Sequence, residues 1–310
     1  DVDSKEVIRL AEKYFAIIPK GPEVLKQEVK PVVLTSDRYI SYEDNIRSPQ
    51  VTFAYPAVPS RHEDEAALDI LSDILSGGKS SLFYQHFIKS QKAQYAFTYN
   101  PTQELAGEFI VLVRTFPGNS LSEMDSLVRQ VFLAFEERGV TDNDIEKYKA
   151  SFESEIIHSL SSVKGKGAML AAYQTFTQNP NYLKTEIEQY MGVTKEDVMR
   201  VYNTYIKNKH AVILSVVPKG DSLNVAAPNN FVLPHRDTIA EEAAEYKNLT
   251  YQRIKDTLNR FVKPVAPAAP LVRPPAYWTH KFDNGLEVIG AKNKEVPSVA
   301  IQINIAAGHR

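Results

Sequence analysis

The chain has 310 residues, 43% of them apolar and 24% charged. That is ordinary for a folded globular protein and longer than one average domain. Its net charge is −2 and it has no cysteine, so there is no basis for a nucleic-acid partner, a disulfide framework, a thiolate zinc site or a cysteine nucleophile. No run approaches the roughly 20 apolar residues of a membrane helix.

The opening stretch reads as an amphipathic helix: Val7, Ile8, Leu10, Ala11, Tyr14 and Phe15 share a face, and Pro19 and Gly21 stop it. Pro31–Tyr42 reads as extended. Gln50–Ala57 is a strand, and Glu63–Leu75 is a helix with Ala67, Ile70, Leu71, Ile74 and Leu75 at helical spacing. A short helix at Ser80–Lys89 and strands at Gln94–Tyr99 and Gly107–Thr115 follow.

Helices dominate from Ser122. Three capping signals, Ser122-x-x-Asp125, Thr141-x-x-Asp144 and Thr194-x-x-Asp197, each precede an apolar-periodic run. Ala211–Val217 is a continuous apolar strand of the kind found inside a sheet. Strands, then helices, then a closing strand favour an α+β fold with an antiparallel or mixed sheet and helices packed on one face.

Residues 219–275 read as a linker with one helix, Thr238–Phe261, and a semi-rigid spacer containing Pro264, Pro267, Pro270, Pro274 and Pro275. Trp278–Phe282, Asp283-Asn284-Gly285 and Leu286–Ala291 form a hairpin signal, and Val299–Ala306 alternates as a third strand. Three strands with nothing to cover them bury no face, so the chain is expected to stop inside a further domain. The expected domains are 1–47, the end of a preceding domain; 48–218, a complete α+β domain; 219–275, the linker; and 276–310, the first strands of the next.

Candidate sites are few. The seven histidines (His62, His86, His158, His210, His235, His280 and His309) include no two closer than 24 positions, whereas zinc helices place two histidines four apart. His62-Glu63-Asp64-Glu65 reads as a helix start, because consecutive helical residues point about 100° apart and do not converge on one ion. Ser76-Gly77-Gly78-Lys79-Ser80-Ser81 resembles the end of a phosphate loop, but Asp73 stands where the earlier glycine belongs and the loop follows a helix. It reads as a glycine turn ending one helix and a serine cap opening the next.

Taken in order, several segments resemble one family. PQVTFAYPAVPSRHEDEAALDILSDILSGGKSSLFYQHFIKSQKAQYAFTY is similar to the second domain of the pitrilysin/insulinase-type zinc metallopeptidases. DVDSKEVIRLAEKYFAIIP is similar to the last helix of the domain before it, and VTKEDVMRVYNTYIKNKHAVILSVVPKG to the closing helix and strand. HKFDNGLEVIGAKNKEVPSVAIQINIAAGHR resembles the first strands of a third domain. The resemblance implies a LuxS/mitochondrial-processing-peptidase-like metallohydrolase domain within a clamshell of four related domains that encloses peptide substrates.

The family holds zinc through H-x-x-E-H in its first domain. The resemblance therefore implies zinc in the full-length protein, upstream of Asp1, with no catalytic residue, metal ligand or cofactor in this segment. It implies peptide contact by Gly77, Gly78, Ser80 and Ser81. Tyr95 aligns with a family tyrosine, but Ile88 stands at its arginine partner and Leu82 at another customary arginine, so a packed strand residue is the competing reading. The expected partners are peptide substrate and the remaining domains of the same protein, with no membrane segment here. The alternative is a segment of a catalytically inactive member acting as a partner subunit or structural protein. Bacterial relatives of such size often work outside the cytoplasm, but the compartment stays open.

Overall fold

Alternation of apolar residues decides which side of the sheet is covered. In the strand Gln50–Ala57, Val51, Phe53 and Tyr55 are buried while Gln50, Thr52 and Ala54 are half-exposed, the period-two pattern of a strand with one face on a core. The computed structural model describes residues 3–21, 28, 30–232, 259, 261–263, 265, 275–292, 297–305 and 307–308. They fall into two compact units, one of Gln27–Leu233 with Lys294–Arg310 and one of Asp1–Lys26 with Pro234–Asn293.

The chain runs α1 (Ser4–Phe15), β1 (Arg38–Asp44), β2 (Gln50–Ala57) and α2 (Glu65–Ser76), then a π-helical turn at Tyr84–Lys89. Strands β3 (Ala93–Tyr99) and β4 (Gly107–Thr115) precede α3 (Leu121–Arg138), α4 (Asp142–Leu160) and α5 (Val163–Thr177). Then come α6 (Leu183–Gly192), α7 (Lys195–Tyr205), β5 (Val212–Pro218), β6 (Tyr277–Lys281) and β7 (Glu287–Ala291).

In the larger unit the sheet order is β1-β5-β2-β4-β3, with β1 and β5 parallel and the other neighbours antiparallel. The fold is α+β with a mixed sheet. β5 lies inside the sheet, as its apolar run requires. β1 belongs to this sheet too, which therefore starts ten residues before position 48. Its outer edge is sealed: the Tyr39 N–H donates to Asn230 Oδ1 (2.8 Å) and the Asn230 N–H to the Tyr39 carbonyl (3.2 Å).

The covered face packs Val51, Phe53, Phe109, Val111, Val113 and Ile213 against α2, α3 and α7. An aromatic chain runs through that layer. The Phe135 and Tyr202 rings meet edge-on at 4.9 Å, Phe132 lies 6.1 Å from Tyr202, and Phe83 stacks on Phe87 at 5.4 Å.

Thr141 and Thr194 each form the expected reciprocal capping box, with Asp144 and Asp197. Ser122 does not cap α3. Leu121 is fully buried in the first turn, so the cap position moves back to Ser120, and Asn224 supplies the acceptor for the Leu121 N–H at 3.0 Å.

In the smaller unit α1 is capped by Asp3, and β6 pairs with β7 around Gly285 at φ 84°. The expected helix Thr238–Phe261 and most of the proline spacer lie outside the described residues. Val299–Ala306 is a correction: residues 299–305 form no strand, because alternation makes a strand only where a neighbouring backbone accepts its hydrogen bonds.

Replacing Phe53, whose ring is fully buried, by alanine is expected to remove about 3–5 kcal/mol of stability. Leu133→Ala, at a side chain 65% exposed on α3, should stay within about 0.5 kcal/mol. Urea melts of the two variants check this.

Candidate functional site

One face of α2 is polar near its C-terminal end. Asp69, Ser72, Asp73 and Ser76 follow the i, i+3, i+4, i+7 spacing and therefore point the same way. Together with Gly77, the segment Thr98–Pro101 and Tyr148 of α4 they line a cleft of about 420 Å³. β3 is an edge strand, and the helix serines satisfy it there. The Thr98 N–H donates to Ser76 Oγ (2.9 Å), and Ser72 Oγ donates to the Thr98 carbonyl (2.8 Å), so this part of the edge presents no open backbone groups.

Asp69 anchors the cleft floor. The Tyr190 hydroxyl of α6 donates to its Oδ2 at 2.5 Å and the Asn100 amide donates to its Oδ1 at 3.0 Å. Burial pushes the Asp69 carboxyl up from 3.8 to about 6, against the opposing pull of the Tyr190 and Asn100 hydrogen bonds. Burial, and after it the Asp69 charge, raises the Tyr190 hydroxyl in turn. Phe152 stacks on the Tyr190 ring at 4.2 Å, which holds the hydroxyl on its target. Asn100 Oδ1 is buried with no hydrogen-bond partner among the described residues. At the cleft mouth, Lys147 Nζ lies 3.3 Å from Asp73 Oδ2 and donates to the Gly77 carbonyl at 3.0 Å.

The glycine turn opens from this cleft. A Cβ on Gly77 would collide with the Asp73 carboxylate and carbonyl, and Gly78 adopts φ +76°, so both positions need glycine. Gly78, Lys79 and Ser80 are exposed. Ser81 turns inward: it is 5% exposed, its hydroxyl donates to the Gly78 carbonyl (2.8 Å) and accepts the Tyr84 N–H (3.3 Å). It shapes the turn and opens the next helix instead of facing solvent.

Tyr95 lies at the other end of β3 on the uncovered sheet face. There it stacks on Phe97 at 5.8 Å, under the Arg114 guanidinium at 4.9 Å. The structure thus splits the five expected contact residues. Gly77 joins the cleft, Gly78 and Ser80 are exposed in the turn that follows it, Ser81 is internal, and Tyr95 is not among the cleft residues. Sequence reasoning missed Asp69, Asp73, Asn100, Lys147 and Tyr190. The one available signal was the polar i, i+3, i+4 row on an otherwise apolar helix.

The donors present do not fit a zinc ion. No group of three or more His, Cys, Asp or Glu side chains among the described residues is arranged to hold a metal. Asp69 is engaged by Tyr190 and Asn100, and Asp73 by Lys147. At the start of α2, which begins at Glu65, Asp64 pairs with Arg200 at 2.7 Å and Glu65 accepts from Thr102 at 2.6 Å, while His62 Nδ1 accepts the Asp64 N–H at 3.1 Å and lies 3.9 Å from the Asp64 carboxylate. His235 and His309 lie outside the described residues. No helix among the described residues is long and apolar enough to cross a membrane.

Asp69 makes the cleft pH-dependent, with a definite sign. A carboxyl whose folded pKa is raised binds protons more tightly in the folded state. Its contribution to stability is fully present below the unfolded value of 3.8 and is lost as pH rises through about 6. The stability of the native chain relative to Asp69→Asn should therefore fall between about pH 4 and 7 by on the order of 1–3 kcal/mol. Urea melts across that range measure it, and a pH-independent difference contradicts the assignment.

Residues 1–152 match the family model described as the Peptidase M16 inactive domain. The chain is similar to the zinc protease PqqE of Helicobacter pylori, with 24% identity over 229 residues, 70% of this chain and 50% of that protein. Among solved structures it is similar to a protease from Helicobacter pylori, with TM-score 0.62 and 21% identity over 70% of this chain and 53% of that one. It is also similar to a mutant of the ferredoxin protease FusC in complex with Arabidopsis ferredoxin, with TM-score 0.55 and 16% identity over 70% of this chain and 24% of that one. The chain spans about half the length of the curated relative it matches, and the structural likenesses establish the shared α+β fold. Residues 1–152 thus match the M16 peptidase inactive domain, and the likeness to PqqE is in keeping with a fragment of a pitrilysin/insulinase-type protein.

Proposed function

We infer that this chain is a non-catalytic segment of a zinc-dependent endopeptidase and forms part of the wall of its peptide-enclosing chamber. The observation that carries this reading is the uncovered sheet face. Tyr42, Phe97 and Tyr99 are 50%, 37% and 41% exposed there, while the opposite face of the same strands is buried under helices. A broad apolar face rimmed by polar groups is the kind of surface that takes up a polypeptide.

The Gly78–Ser80 turn and the Asp69 cleft add hydrogen-bonding groups to the apolar contacts of Phe97 and Tyr99. Ser81 supports the turn from inside. Tyr95 contributes through the aromatic ladder, and no catalytic role is assigned to it. FusC is solved in complex with ferredoxin, itself a polypeptide, which supports a protein or peptide ligand for this chain. Zinc and the residues that activate water belong, on this reading, to another part of the full-length protein.

Photo-cross-linking tests the reading. An aryl-ketone amino acid placed at position 80 or 97 should capture a bound peptide, and one at position 133 on the helical side should not. Capture from position 133 as efficient as from 80 and 97 would remove the chamber wall. It would leave the partner-subunit alternative as the better reading.

A further inference from the structure

A second pocket, apart from the Asp69 cleft, lies against the sheet near the end of β2. It encloses about 400 Å³ and is lined by apolar groups that include Val32, Leu34, Pro56, Leu105 and Val212, together with Lys30 and Arg38. That volume suits one or two amino-acid residues.

We propose that this pocket binds the C-terminal residue of a peptide, holding its carboxylate on Arg38 and Lys30 and its apolar side chain on the sheet.

Register places the two kinds of group side by side. Arg38 pairs with Val212, and Val212 pairs with Ala54, so a cation and two apolar residues form one row across three adjacent strands. Neighbouring strands lie about 4.8 Å apart, so the stem of Arg38 starts from the same face of the sheet as the Val212 and Ala54 side chains beside it. An internal acidic side chain brings a carboxylate without an apolar branch beside it. A C-terminal leucine, valine or phenylalanine brings both from one residue.

The cation is pre-positioned. The Arg38 N–H is fixed by the Ala211 carbonyl at 3.0 Å, and its guanidinium lies 4.4 Å over the Phe231 ring. Neither Arg38 nor Lys30 has a carboxylate partner among the described ion pairs. Glu108 is the one carboxylate in the lining, against Arg38, Lys30 and the imidazole of His62, and a guanidinium suits a carboxylate by its fork of donors. The wall opposite is built closely: a Cβ on Gly107 would collide with the Val58 carbonyl. Glycine there lets the Leu105–Gly107 segment close against β2 and bound the pocket.

The proposal rests on the peptide-binding reading for its class of ligand, but its test is independent of where else peptide touches the chain. The probes are acetyl-Ala-Leu with a free carboxylate, the same dipeptide amidated, and octanoate, each titrated calorimetrically into the 310-residue chain. The free acid should bind at least about tenfold more tightly than the amide, the scale of a charge-assisted hydrogen bond in a partly buried site. Arg38→Met, which keeps the apolar stem, should reduce the acid to the level of the amide and leave the amide unchanged. The acid-to-amide ratio on the native chain needs no variant and so does not depend on the variant folding. Equal binding of acid and amide, no binding, or octanoate binding as tightly as the acid each overturns the proposal. If cross-linking from position 80 persists alongside any of those results, the chamber reading stands and this pocket alone is lost.

Discussion

The insertion of β5 between β1 and β2 is the constraint on which the larger unit depends. Residue 212 must travel back past five helices to pair with Arg38 on one side and Ala54 on the other. Without it β1 has no neighbour and β2 loses one of its two ladders. Asp37 marks the junction: its carboxylate accepts the Ala211 N–H at 3.0 Å and pairs with Arg129 of α3 at 3.2 Å. One side chain thus ties the first strand, the last strand and the helical layer together. Such long-range closure makes folding depend on contacts far apart in the chain, with local helices waiting for the sheet to complete.

The same closure creates the surfaces on which the proposed function rests. Helices α2, α3 and α7 take one side of the sheet, so the aromatic ladder of β3 and the row Arg38–Val212–Ala54 share the other. α2 contributes to both the core and the cleft. Its apolar stripe fills the core with Leu68, Leu71 and Leu75, and its polar row supplies Asp69, Ser72 and Asp73 to the cleft. A helix that carries zinc ligands needs donors that converge on one ion. Here the carboxylates are tied off pairwise by Tyr190, Asn100 and Lys147, and the polar row does structural work on the edge of β3.

Much of this was legible locally. The strands at 50–57 and 107–115 and the Asp283–Gly285 hairpin are written in alternation and turn chemistry within a few residues. So are the capping boxes at Thr141 and Thr194. What escaped depends on partners distant in sequence. Tyr190 meets Asp69 across 121 positions, and Asn224 caps α3 from 103 positions away. Residues 299–305 show the reverse case, an alternating pattern with no backbone to pair with. The GGKSS turn was recognisable, yet its serines look alike in sequence. The packing alone decides that Ser80 faces out and Ser81 caps inward.

The central claim is that this segment handles peptide without cutting it. It is tested most directly by one preparation of the purified chain, assayed together for zinc by elemental analysis, for peptide binding by fluorescence anisotropy, and for cleavage of a quenched fluorogenic peptide. The account predicts saturable peptide binding, zinc far below one atom per chain, and no cleavage. One tightly held zinc per chain accompanied by hydrolysis would contradict it.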